Sequence, residues 1–288
     1  MLALWALFLL STMVISWALD IDARLSVSGG ANRNLEAEAM ACSGAEVALI
    51  PSIKRGSPNL KRQVNSRQSY EATVTGEGGR LNLNWLIAGE DPTRLEILRK
   101  FLEIKGVELN DRDEMIDTLL DWVDPDNLVR LNGAEESDNY HPANALLTRL
   151  DQVKKIKGWA AFTAKPGWDD DLTLNSSGPV DILWASRDVL MALPGMSEQL
   201  VDAFLQIRRG PDGIDGTEDD PPFKSLEEIR AALGFSPEQV AALNGIVGFN
   251  DPVIHIVSVG KSGDTARTVQ MVVRKVGTTS QMILWKEL

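Results

Sequence analysis

The chain has 288 residues, 44% of them hydrophobic, which is enough for one large head or two compact units. Its single cysteine, Cys42, excludes an intrachain disulfide framework and a cysteine-rich zinc site, and reads as a small buried residue on a helix. The net charge of −12 is uneven: residues 1–90 hold eight acids and eight bases, residues 91–252 hold 31 acids and 16 bases, and residues 253–288 are net +3, so the middle repels phosphate backbones, argues against nucleic acid and suits cations.

Met1 to Leu19 carries no charge before Asp20. As a helix it covers roughly 28 Å against the ~30 Å of a bilayer core, which makes it a candidate anchor. The alternative is a signal peptide cut after Ser16 and Ala18. The run lacks a basic flank, which a start codon further upstream would restore, and helical periodicity continues past Ala18 through Ile21, Leu25 and Leu35, favouring a retained helix. Ala37, Ala41 and Ala45, four apart, stack on one face and predict a close-packing seam for partner helices. The spacing predicts one long helix to about Leu49, stopped by Pro51, with a soft point at Gly29 and Gly30.

Residues 52–67 are polar and basic and read as a surface connection. Tyr70, Ala72 and Val74 alternate with polar residues, as do Leu81, Leu83 and Trp85 after the turn Gly76–Gly79, and predict a hairpin. From Asp91 the period becomes helical: Asp91 caps, Pro92 starts a helix, and a second begins near Asp111 with Glu114 three residues on. Gly195-Met196-Ser197-Glu198-Gln199-Leu200 is echoed by Gly234-Phe235-Ser236-Pro237-Glu238-Gln239-Val240, with capping boxes at Ser225/Glu228 and Ser236/Gln239, and predicts tandem helix-hairpin-helix units of the sterile-alpha-motif-like kind. Val253 to Val259, Thr268 to Val276 and Met282 to Trp285 return to strand composition. The order predicts an α+β chain: a helix over 1–50, a first piece of sheet over 51–90, an acidic helical insertion over 91–252, and closing strands over 253–288.

Two loops gather carboxylates as a hard cation requires. The first holds Asp121, Asp124, Asp126, Glu135, Glu136 and Asp138; the second holds Asp212, Asp215, Glu218, Asp219 and Asp220. Six to eight oxygens from such glycine-bent loops can coordinate Ca²⁺, although neither loop has EF-hand spacing. Catalysis has no comparable support. His141 lies before a proline and His255 among strand residues, and the chain has neither a phosphate-binding glycine loop nor a Gly-x-Ser-x-Gly elbow.

Taken together, LWALFLLS, EAEAMACSGAEVAL, GRLNLNWL, DTLLDWVDPDN followed by NGAEESDNY, VLMALPGMSEQLVDAF and HIVSVGKSGDTARTVQMVV resemble the type II secretion minor pseudopilin K family. The resemblance implies a pilin-like fold, with a long N-terminal helix packed on a small antiparallel sheet that a large helical domain interrupts. It also implies a non-enzymatic inner-membrane protein with one span and a periplasmic head, placed at the pseudopilus tip with minor pseudopilins I and J to cap or initiate the filament. A prepilin peptidase is implied if a leader precedes this sequence; the family's basic leader and glycine are absent here. The family lacks an acid near the start of its mature helix, and this chain has none before Asp20. It departs from the family where relatives carry an Asn-x-Asn-Thr-Ala strand and this chain reads Val180-Asp181-Ile182-Leu183-Trp184-Ala185-Ser186. The rival expectation, a membrane-anchored helix-hairpin-helix DNA-binding protein, runs against the charge of residues 91–252. A periplasmic enzyme would require the N-terminus to be removed.

Overall fold

The computed structural model describes residues 2–53, 55–213, 215, 219–277 and 279–288. Helix α1 (Leu2–Leu49) is continuous over 48 residues and passes through Gly29 and Gly30 without a break. It stops just before Pro51, whose ring cannot continue a helix. Among the described residues it is the one helix long and apolar enough to cross a membrane, and none of its apolar window is buried within the protein.

Strands β1 (Lys61–Gln63) and β2 (Gln68–Gly76) pair antiparallel. The hairpin expected next does not form. Strand β3 (Leu81–Asn82) is only two residues long and gives way to helix α2 (Leu83–Ile87). The Asn82 side chain accepts the Trp85 N–H at 3.2 Å and so caps that helix. Leu83, Leu86 and Ile87 are then buried together, at a spacing that suits a helix as well as the alternation suited a strand.

Asp91 caps α3 (Pro92–Ile104) by accepting from the Thr93 and Arg94 amides at 2.9 and 3.0 Å, as its sequence predicts. Helix α4 (Leu109–Val123) starts two residues before the expected Asp111, which falls in its first turn. The chain continues through α5 (Ala160–Thr163), β4 (Leu172–Thr173), β5 (Val180–Asp181), α6 (Arg187–Ala192), α7 (Glu198–Arg208), α8 (Leu226–Leu233), α9 (Pro237–Leu243) and β6 (Val247–Gly248). Ser186, Ser197, Ser225 and Ser236 cap the helices that follow them, and each accepts an amide hydrogen from three residues on. The Ser236/Gln239 capping box closes, whereas Glu228 turns instead to the Lys224 amide at 2.7 Å. The last strands are β7 (Val253–Ser262), β8 (Thr265–Val276) and β9 (Thr279–Glu287), and the five-stranded sheet has the order β1-β2-β7-β8-β9. Its strands therefore come from two stretches of sequence about 175 residues apart.

The chain forms two compact units. The first comprises residues 1–73, 256–271 and 285–288. In it α1 lies directly against β7 because both surfaces are small. Ala37, Ala41 and Ala45 are fully buried, and a Cβ at Gly260 would strike the backbone of Ala37, Met40 and Ala41. A Cβ at Gly44 would likewise meet Ser258 and the Tyr70 ring. The Ser262 hydroxyl donates to Glu36 at 2.6 Å and closes the upper end of this seam.

The second unit comprises residues 74–255 and 272–284. Its core is one cluster that includes Leu98, Phe101, Met115, Leu119, Trp159 and Phe204, and α3 packs on both α4 and α6. Fully burying side chains of this size stabilises by about 1.5–3 kcal/mol each before chain entropy is counted. Two short parallel pairs tie distant segments together, β3 with β4 and β5 with β6.

Candidate cation site and helix seam

Helix α4 ends at Val123 and delivers Asp121 and Asp124 to one place, one on the last turn and one at the C-cap. Asp121 is completely buried. Gly133 in the following loop has no side chain because a Cβ there would collide with the Asp121 carboxylate. The loop then brings in Glu135, so that Asp121, Asp124 and Glu135 each place a carboxylate oxygen within 4.8 Å of the others.

Three of these oxygens, Asp124 Oδ1 and both of Glu135, are shielded from solvent and have no hydrogen-bond partner. Burial, and then the negative charges of Asp121, Asp124 and Asp126, push the Glu135 carboxyl above its ordinary pKa. Arg130 supplies the countercharge by bonding to Asp121, Asp124 and Glu90, which raises its own pKa further against the opposing effect of burial. Buried, unpartnered carboxylate oxygens beside other acids are the donor set that a hard divalent cation satisfies.

The other predicted ligands of this loop have different partners. Asp126 Oδ1 accepts the Leu128 amide at 2.8 Å, Glu136 faces His141 Nδ1 at 2.9 Å, and Asp138 is exposed and outside the cluster. In the second loop Asp215 meets the buried Arg208 through two bonds of 3.0 Å, so its carboxylate serves a guanidinium. Asp219 accepts the Asp212 amide at 3.1 Å. Asp220 follows it, and Glu218 lies outside the described residues. The predicted partner seam also needs correction. Ala37, Ala41 and Ala45 face the chain's own β7, and the backbone contact at Gly260 leaves no room there for another helix.

Sequence reasoning missed a second buried polar group. Glu77 accepts from the Thr173 hydroxyl at 2.5 Å, bonds Arg80 at 3.2 Å and faces His255 Nδ1 at 3.2 Å. Arg80 is a near neighbour of Glu77, but Thr173 and His255 lie far away in the sequence and share no motif with it, so only the fold brings them together. Burial alone would raise the Glu77 carboxyl, but His255, Arg80 and Thr173 together hold it below its ordinary value. Over Val180 to Ser186, Arg208 Nη1 donates to the Ile182 and Ala185 carbonyls at 3.2 and 2.7 Å. Trp184 packs over Gly76 and Gly79, neither of which could carry a Cβ.

Comparison with known proteins agrees with this architecture. A family model for type II secretion system (T2SS) protein K matches residues 79–165, which include α4 and the carboxylate cluster. The type II secretion system protein K of Dickeya chrysanthemi is 28% identical over 72 residues, or 24% of this chain and 20% of that protein's length. A chain in the crystal structure of the GspK-GspI-GspJ complex from the enterotoxigenic Escherichia coli type 2 secretion system superposes with a TM-score of 0.60 at 14% identity, covering 93% of this chain and 99% of that one. Residues 79–165 thus resemble type II secretion system protein K, and the chain as a whole shares the α+β fold of the matched chain in that complex.

Proposed function

We propose that this chain is a minor pseudopilin of a type II secretion system. It is held in the inner membrane by one span, carries a periplasmic head, and caps or initiates the pseudopilus tip together with minor pseudopilins I and J. The observation that carries this reading is the division of labour along α1. Its first nineteen residues expose apolar side chains throughout their described part, while Ala37, Ala41 and Ala45 hold its far end to the sheet. An exposed apolar helix suits the bilayer before assembly and a bundle of partner helices afterwards, so the partner contact moves from the alanine stripe to this earlier stretch. A chain bearing an insertion as large as residues 91–252 ends a filament rather than extending it.

The protein serves as a structural component without a catalytic role. Ca²⁺ at Asp121, Asp124 and Glu135 neutralises the cluster and fixes the loop that follows α4. A strain lacking its own protein K tests the reading: this chain, supplied with its cognate system, restores secretion to the medium. Unchanged secretion on deleting the gene from its own host would overturn it.

A further inference from the structure

The two edges of the five-stranded sheet differ in kind. β1 is three residues long and carries Lys61 and Arg62, features that keep an edge from pairing with another chain. β9 is nine residues long, and Thr279 to Trp285 contain neither charge nor proline. Every residue of β9 except Trp285 is exposed, including Met282 at 54%, Ile283 at 37% and Leu284 at 45%. Neighbouring side chains on a strand point to opposite faces, so exposure of both Ile283 and Leu284 means that neither face of β9 is covered. β8 pairs with one side of β9, which leaves its outer row of backbone donors and acceptors unpaired within the sheet. The hairpin is also basic, with Arg267, Arg274, Lys275 and Lys286 all exposed against Glu287 alone.

We propose that the β9 edge docks an extended segment of a partner subunit of the same secretion assembly, apolar at its centre and carboxylate-bearing at its flanks, which adds to the sheet as a further strand. The inference rests on the minor-pseudopilin reading and gives it a second contact, independent of α1. Backbone hydrogen bonds supply the affinity, Met282, Ile283 and Leu284 supply side-chain packing, and the four bases select an acidic partner over a basic one. A second copy of this chain fits less well. It would bring two basic hairpins together, and a two-fold strand pairing uses up both β9 edges, leaving only the short, charged β1 edges for another subunit.

The test uses the whole chain in detergent, coexpressed with minor pseudopilins I and J of its own system and recovered by a tag on this chain. Ile283→Lys places a charge on the edge, Arg274→Glu with Lys275→Glu reverses the flanking charge, and Arg62→Glu on β1 is the control. We expect recovery of at least one partner to fall about tenfold or more with Ile283→Lys and to fall on charge reversal, with the control unchanged. Gln281→Lys, a polar position on the same edge, gives the same loss and replaces Ile283→Lys should that variant melt at lower temperature. A wild-type complex that survives all the β9 variants refutes the edge and leaves the pseudopilin reading standing. A wild-type chain that recovers neither partner sinks both. Self-association of the isolated chain that Ile283→Lys abolishes, with partner recovery intact, makes a second copy the occupant and overturns the proposal.

Discussion

Gly260→Ala adds a single methyl group at the tightest point of the helix seam. That methyl would sit 2.8 Å from the Met40 carbonyl carbon and closer still to backbone atoms of Ala37 and Ala41. Non-bonded heavy atoms prefer about 3.5–4.0 Å, so α1 must lift by more than about 1 Å. No side-chain rotation relieves the clash, because every atom it meets belongs to the helix backbone. Overpacking usually costs about 1–3 kcal/mol, and a collision with rigid backbone falls at or above the top of that range. At about 3 kcal/mol the population with the helix detached rises roughly 150-fold. Cys42 reports this directly, being the chain's one cysteine and part-buried on α1, where burial and then the charges of Glu287, Glu38 and Glu46 raise its thiol pKa. In detergent, Gly260→Ala should speed Cys42 labelling by at least tenfold and lower the urea midpoint. Gly29→Ala, whose methyl would meet only the end of the Arg33 side chain at 3.5 Å, should leave labelling unchanged and gain about 0.5–1 kcal/mol of helix stability. Equal labelling rates in wild type and Gly260→Ala would refute the close seam.

Two further outcomes follow from the buried carboxylates. Glu77 has a folded pKa held below its unfolded value, so its contribution is present above the ordinary carboxylate range and is lost as pH falls through the lowered folded value. The wild type should therefore lose stability more steeply below about pH 4 than Glu77→Gln, as read by urea midpoints across pH. Millimolar Ca²⁺ should raise the melting temperature of the wild type, and a chelator should reverse the gain; Asp124→Asn with Glu135→Gln should abolish the response. A melting temperature that ignores Ca²⁺ in the wild type contradicts the cation site.

Much of the architecture was legible because local chemistry and tertiary packing agree. Pro51 marks the end of α1, Asp91-Pro92 marks the start of α3, and four serines mark helix starts around α6 to α9. Misreading came where one pattern serves two structures. Leu81-Asn-Leu-Asn-Trp-Leu alternates like a strand, but Asn82 caps a helix there and tertiary burial decides the outcome. The alanine stripe was visible as a close-packing face, yet its occupant was not, because Gly260 lies over 200 residues away in sequence. The acidic loops were legible as charge. Composition cannot say that Arg130 and Arg208 claim part of that charge, which leaves Asp121, Asp124 and Glu135 as the compact group.

The proposal that this chain ends a pseudopilus is tested by its position on the filament. The most direct measurement is gold labelling of a tagged, secretion-competent chain on sheared pseudopili viewed by electron microscopy. Label at one end of each filament and none along the shaft is the expected result. Label spaced along the shaft, or filaments of normal number and length that carry none, would contradict it.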